Sequence, residues 1–182
     1  LYTVFAYAPG DNLADLIARE GALTPHEAQH LMLQVLDALA CAHAQGVVHR
    51  DLKPSNIMVI PTGARRNAVV LDFGIGAMIE GTPGDTSRRL TGSNDTLGTP
   101  GYGAPEQWRG VEPSPRADLF SWGLVFLECL IGRPVYGASS AAELFYHLLG
   151  PEPVPVPAAL ENHPLGELLL TATRKDVSAR DV

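Results

Sequence analysis

Apolar positions recur first at helical spacing, then in short runs, then at helical spacing again. After the opening run LYTVFAY and the Pro9-Gly10 stop, Asn12 stands where a helix cap belongs and Gly21 where that helix would end, predicting a short helix over Leu13–Glu20. A longer helix begins at TPHE, with Thr24 as N-cap, Pro25 at the first helical position and Glu27 completing a capping box. Ala28, Leu31, Met32, Val35, Leu36, Leu39 and Ala42 follow on one face, and Gly46 closes the segment. Between Val47 and Phe73 the period changes. VV, IMVI and AVVLDF are β-branched pieces broken by Pro61-Thr62-Gly63, which reads as short strands with polar residues on the connecting loop. Helical spacing returns from Ser114-Pro115 to about Ile131, with Gly132 behind it. SAAE at Ser140–Glu143 is a capping box for a helix that ends before Gly150-Pro151, PEPVPVP is a stiff extended connector, and a last short helix covers about Leu165–Arg174. The pattern predicts an α+β fold, mainly α, with no internal repeat.

One segment fits neither period. In Gly81–Gly98, fourteen of eighteen residues are Gly, Pro, Ser, Thr, Asn or Asp, and a loop of that length inside a compact domain points to function. Composition narrows the classes. The 182 residues are 46% hydrophobic and 18% charged, which suits one globular domain, and the net charge of −7 argues against nucleic acid as a partner. Leu119–Ile131, the longest apolar stretch, is broken by Ser121 and Glu128 and is too short to cross a bilayer. With no secretory signal, the expectation is a cytoplasmic segment with no membrane contact of its own, whose parent protein could be anchored elsewhere. Cys41 and Cys129 lie in helical apolar patterns and are expected to be buried thiols. His26, His30, His43, His147 and His163 share no spacing with carboxylates and read as ordinary helix and loop residues, Trp108 and Trp122 as core anchors, Arg65-Arg66 and Arg88-Arg89 as solvated turn charges.

Against this background the stretch VVHRDLKPSNIMVI, followed by LDFGIG, stands out, because its apolar runs pin His49, Arg50, Asp51, Lys53, Asn56 and Asp72, which no folding argument requires. Taken singly, Asp51 is a loop carboxylate and Asn56 a turn former. Together they match the needs of phosphoryl transfer: divalent metal on hard oxygen ligands, a group orienting the attacking hydroxyl, and positive charge on the moving phosphoryl.

HRDLKPSN together with DFG and GTPGYGAPE (Gly98–Glu106), in this order and at these separations, resembles the catalytic loop, metal-binding loop and activation-segment end of eukaryotic-type (Hanks-type) serine/threonine protein kinases. The resemblance covers nearly the whole chain and implies a protein-kinase-like C-lobe, helical with short β-hairpins at the catalytic cleft, with ATP and Mg²⁺ as cofactors and protein serine or threonine hydroxyls as substrates. It implies Asp51 as catalytic base, Lys53 as phosphate contact, and Asn56 and Asp72 as metal ligands. His49 and Phe73 would pack internally, Asp118 would anchor the catalytic-loop backbone, and Glu106 would pair with Arg180. The first segment resembles the hinge between kinase lobes, with Phe5 as gatekeeper, the backbone of Ala6 and Ala8 against adenine, and Met58 beneath the ring. Arg50 before Asp51 implies control by an activation-loop phosphate, with Thr91 and Ser93 as the expected acceptors. Lys53 and Thr99 resemble serine/threonine rather than tyrosine kinases. The arginine-rich composition fits a bacterial source.

Departures from the family also carry expectations. Gly103 stands where many relatives have a larger apolar residue, and Asp181 where proline is common. The chain begins mid-pattern at Leu1 and contains no glycine-rich phosphate loop, strand lysine or helix glutamate. The expectation is therefore that residues 1–182 are a kinase-domain fragment, hinge and C-lobe, with the N-lobe absent and the C-terminal end truncated, inactive alone and exposing an apolar face where the small lobe of the parent chain would pack. Two other readings compete. A pseudokinase-like scaffold would commonly lose the carboxylates that Asp51 and Asp72 represent, and a small-molecule phosphotransferase leaves GTPGYGAPE and the long loop unexplained.

Overall fold

The computed structural model describes residues 9–73, 100–112, 114–137 and 140–180. Phe5, Ala6, Ala8, Thr91, Ser93, Thr99, Arg88-Arg89, Asp181 and the Gly81–Gly98 loop lie outside these residues.

Local signals set the helix boundaries. Asn12 caps α1 (Leu13–Glu20), its Oδ1 accepting the Asp15 N–H at 2.9 Å, and Gly21 ends it. Thr24 caps α2 (Pro25–His43), its hydroxyl oxygen accepting the Glu27 N–H at 3.3 Å. The Glu27 carboxylate turns outward to Arg66, whose Nη1 donates to it at 3.1 Å. Three strands form one antiparallel sheet in the order β1 (Asp11–Asn12), β2 (Ile57–Thr62), β3 (Arg65–Val70), with Met58 opposite both Asn12 and Val69. Two readings are corrected here. Val47-Val48 is not a strand, because the chain there is turning off α2, with the Val47 N–H bonded to the Ala42 carbonyl. Arg65 and Arg66 lie on β3 rather than in a turn, and Arg66 bridges Glu20 and Glu27, tying sheet to α1 and α2.

The second half is helical. After α3 (Pro105–Trp108) comes α4 (Pro115–Ile131), apolar almost all round and buried along most of its length, as such helices must be. Gly132 ends α4 at φ 73°, with Ala22 backbone packed where a Cβ would stand, so only glycine fits. α5 (Ala141–Leu149) opens on Ser140, whose Oγ accepts the Glu143 N–H at 3.2 Å. α6 (Pro164–Ala172) begins a residue earlier than its periodicity suggests, because His163 caps it through Nδ1. Leu13, Leu16, Leu31, Met32, Val35 and Leu39 from α1 and α2 meet Phe120, Trp122, Leu124 and Leu127 of α4 in a single core, and the Trp122 indole N–H donates to the Met32 carbonyl at 2.8 Å. Cys129 is buried as expected, but Cys41 is exposed: it falls on the outward side of α2.

This is the expected α+β fold, mainly helical, with a small sheet beside the polar loop. Among the described residues no helix is long and apolar enough to cross a membrane.

Candidate active site

The loop from His49 to Asn56 connects α2 to β2 and is fixed from beneath by α4. Asp118, in the first turn of α4 and 1% exposed, accepts the His49 N–H on Oδ2 at 2.8 Å and the Arg50 N–H on Oδ1 at 2.9 Å. Arg50 sits at φ 71°, in the left-handed region that a side chain resists, and this conformation costs about 1–3 kcal/mol unless its surroundings enforce it. Two groups enforce it, Asp118 on the N–H and Gln107 on the carbonyl, whose Nε2 donates to Arg50 O at 2.8 Å. Gln107 is steered in turn by the Ala104 N–H, which donates to its Oε1 at 2.8 Å.

His49 is a buried structural hub. Its Nδ1 accepts the Asp51 N–H at 3.3 Å and its Nε2 lies 2.8 Å from the Leu71 carbonyl, so the ring must be the neutral Nε2–H tautomer. Its edge contacts the Phe73 ring at 5.0 Å between centroids. The Asp51 carboxylate emerges from this frame into solvent. Lys53 Nζ donates to its Oδ2 at 2.7 Å, while Asn56 Nδ2 donates to the Asp51 carbonyl at 2.9 Å and approaches Oδ2 at 3.4 Å. The short 3-10 turn Pro54–Asn56 folds Asn56 back over Asp51 and leads directly into β2.

Asp72 follows Leu71, whose N–H donates to the Asn56 carbonyl at 2.8 Å and whose own carbonyl meets His49, so Asn56 and Asp72 belong to adjoining segments tied by backbone bonds. Asp72 is exposed, at φ 57°, a conformation that Asp tolerates better than most residues. The donor set fits Mg²⁺. With Nδ2 of Asn56 occupied by Asp51, its amide oxygen and the exposed Asp72 carboxylate are two hard oxygen donors on adjoining segments, the sparse ligation this cation accepts when phosphate and water complete it. Among the described residues no group of three or more His, Cys, Asp or Glu side chains could hold a metal.

Met58 lies half-buried on β2, next to that turn. The structure thus brings Arg50, Asp51, Lys53, Asn56, Met58 and Asp72 to one edge. Ala6, Ala8, Thr91, Ser93 and Thr99 are outside the described residues.

Behind the loop, Glu106 and Arg180 form a buried pair, the guanidinium Nη2 donating to Oε2 at 2.8 Å and its plane lying 4.8 Å from the Phe120 ring centre. The Tyr102 hydroxyl donates to the Glu128 carboxylate at 2.5 Å, and burial pushes the Glu128 carboxyl above its ordinary range. The Trp108 indole explains Gly103: a Cβ there would stand 2.8 Å from Trp108 Nε1, so the tryptophan fills the space a larger residue at 103 would take. Gln107 and His43, which contacts Asp118, are site residues that sequence reasoning missed. Each partner lies far along the chain, so no local spacing could signal it.

A family profile described as "Protein kinase domain" matches residues 1–156. The chain is 40% identical over 144 residues to a serine/threonine-protein kinase, PkaA, of Streptomyces coelicolor, covering 79% of this chain and 25% of that protein. It is 37% identical over 163 residues to a probable serine/threonine-protein kinase, PknB, of Bifidobacterium longum (90% of this chain, 23% of that protein) and 36% identical over 182 residues to PrkC of Bacillus subtilis (96% and 26%). The chain spans about a quarter of the length of these curated relatives. With the loop geometry, the ordered match and these bacterial relatives taken together, the chain belongs to the protein kinase domain family.

Proposed function

We propose that this chain forms the catalytic large lobe of a serine/threonine protein kinase, transferring the γ-phosphoryl of ATP to protein hydroxyls. The observation that carries the reading is the convergence of Lys53 Nζ and Asn56 Nδ2 on Asp51, whose backbone is fixed through His49 and Asp118. In the proposed reaction the Asp51 carboxylate accepts the proton of a substrate hydroxyl as its oxygen bonds to the γ-phosphorus. The bond from that phosphorus to the β,γ-bridging oxygen breaks and ADP leaves. Lys53 exchanges Asp51 for the phosphoryl oxygens and balances their charge; a lysine, as a rotatable point charge, can make that move. Bound through Asn56 and Asp72, Mg²⁺ supplies neutralising charge on the phosphates. Met58, half-buried on β2, would lie under the nucleotide, and the adenine contacts would fall to the backbone of Ala6 and Ala8.

Regulation follows from Arg50. Among the described residues its guanidinium makes a loose contact at 3.6 Å with Glu112, which is 85% exposed. A phosphate on Thr91 or Ser93 would outcompete so exposed a partner, and Thr99 would go with the serine/threonine rather than the tyrosine class. The 182 residues alone are proposed to transfer little phosphate. Their only lysines are Lys53 and Lys175, and Lys175 donates to the His147 and Gly150 carbonyls at the end of α5, so none remains for the α- and β-phosphates.

The test is intact-mass spectrometry of the gene's full product after incubation with Mg-ATP, beside its Asp51→Asn twin. Phosphate accumulating on the parent, and about 10²–10⁴-fold more slowly on the twin, supports the reading. A folded parent that takes up no phosphate and modifies no protein substrate would favour a scaffold instead.

A further inference from the structure

Three carbonyls at the C-terminal end of α5 are met by cations from elsewhere in the chain. Lys175 Nζ donates to the His147 carbonyl at 2.5 Å and to the Gly150 carbonyl at 2.8 Å, and Arg109 Nη2 donates to the Leu149 carbonyl at 3.3 Å. A helix ends on carbonyls without an intrahelical partner and on the negative end of its dipole, so cationic donors answer both needs. Both cations stand on fixed backbone. Arg109 follows directly on α3, and the buried Arg180 donates to the Arg174 and Lys175 carbonyls while pairing with Glu106 of α3. The bonds close a ring: from α3 through Arg109 to α5, from α5 through Lys175 to residues 174–180, and from there through Arg180 back to α3. α5 is also the helix on which residues 100–108 rest. Phe145 meets the Trp108 ring edge to face at 5.1 Å between centroids, and the Leu144 side chain lies 3.9 Å from where a Cβ on Gly101 would stand, in the 3-10 turn Pro100–Tyr102.

Residues 100–108 adjoin the candidate site, because Gln107 donates to the Arg50 carbonyl beside Asp51. With the nucleotide on the side of Asn56, Asp72 and Met58, a polypeptide presenting its hydroxyl to Asp51 approaches from the side of Arg50 and Gln107, over this segment. We propose that Lys175 is a positioning residue for the protein substrate: by holding the end of α5, it keeps residues 100–108 in the place over which the polypeptide passes. The proposal rests on the kinase reading above. Lys175 itself touches neither nucleotide nor substrate. Its effect runs from the ammonium through the last turn of α5 to Leu144 and Phe145, and from these to Gly101 and Trp108. The Asp51 loop is held separately, from α4, so the chemical step and the nucleotide are spared. If Lys175 merely tied two helical pieces together, its loss would lower stability without changing the affinity of folded molecules for their protein substrate.

The experiment compares the gene's full product with its Lys175→Met and Lys175→Arg variants, assayed well below each melting temperature. Steady-state kinetics give kcat and KM for ATP and for a protein substrate. Amide hydrogen exchange reports the Gly150 N–H, bonded to the Tyr146 carbonyl at the end of α5, and the Ala104 N–H, bonded to Gln107. The expected result for Lys175→Met is a KM for the protein substrate about tenfold higher, with kcat and the KM for ATP little changed and both amides exchanging faster. Arginine, whose guanidinium can also donate to two carbonyls, should recover most of the affinity and of the protection. An unaltered KM for the protein substrate in a folded methionine variant, a rise shared equally by ATP, or an arginine variant no better than methionine overturns the proposal. Should methionine prevent folding, Lys175→Gln, a neutral donor on a shorter stem, takes its place in the same comparison. An inactive parent would sink the kinase reading, while exchange at Ala104 would still decide whether Lys175 steadies residues 100–108.

Discussion

Two cation–carboxylate pairs bracket the loop, and they differ less in length than in surroundings. Lys53 meets Asp51 at 2.7 Å with the two side chains 19% and 55% exposed; Arg180 meets Glu106 with its guanidinium and the carboxylate 0% and 7% exposed. The first is a lysine on a flexible stem facing water, and its carboxylate partner is held through the backbone rather than through the pair. The second is a planar guanidinium locked in place, donating also to the carbonyls of Arg174 and Arg116 and lying against Phe120. In the proposed reaction the first contact opens in every cycle, so it has to cost little to open, and its exposure to water makes that possible. A contact that must never open is better dry and multiply bonded. Equal-looking ion pairs thus divide into a hydrated one at the candidate site and a dry one behind it.

Substitutions should separate the two. Arg180→Met strands the Glu106 carboxylate in the core and should cost about 3–5 kcal/mol of stability, read as a large fall in the urea midpoint. Lys53→Met should do the reverse. Stability should change by less than about 1 kcal/mol, while kcat in the gene's full product falls about 10²-fold through loss of charge on the transferring phosphoryl. A Lys53 variant that melts as early as the Arg180 variant would erase the distinction. The smallest effect tests a third, half-hidden pair, Tyr102 and Glu128. Burial raises the Glu128 carboxyl above its unfolded value of 4.5, so between that pH and the higher folded value the native state holds more protons than the unfolded one. Stability should therefore decline as pH rises through this window and level off above it. Glu128→Gln, which can still accept from Tyr102, should flatten the decline in melting temperature measured from pH 4.5 upward.

Much of the fold was legible because its signals are local. Asn12, Thr24, Ser114-Pro115, Ser140 and Gly132 each act within four residues of themselves, and each marks the boundary it was expected to mark. β1 was hidden for the opposite reason: Asp and Asn are poor strand formers, and Asp11–Asn12 pairs only because the close approach of Gly10 to Val59 brings the chain alongside β2. At the site, Asp51, Lys53 and Asn56 were readable because six consecutive positions contain them. Asp118, which holds this group from beneath, came with the motif resemblance, but other supports across the chain did not. Gln107 reaches Arg50 across 57 positions and Arg66 reaches Glu20 across 46, distances over which only folding supplies a neighbour. Cys41 was misjudged because small apolar residues line both faces of the end of α2, and periodicity alone does not say which face turns inward.

The indole above Gly103 constrains how this protein can have diverged. A larger residue at 103 collides with Trp108, and a smaller residue at 108 opens a void over the glycine. Neither position can drift by itself without passing through a less stable intermediate. The two positions are therefore sterically coupled, and a relative carrying one half of the pair without the other is expected to show a compensating change nearby.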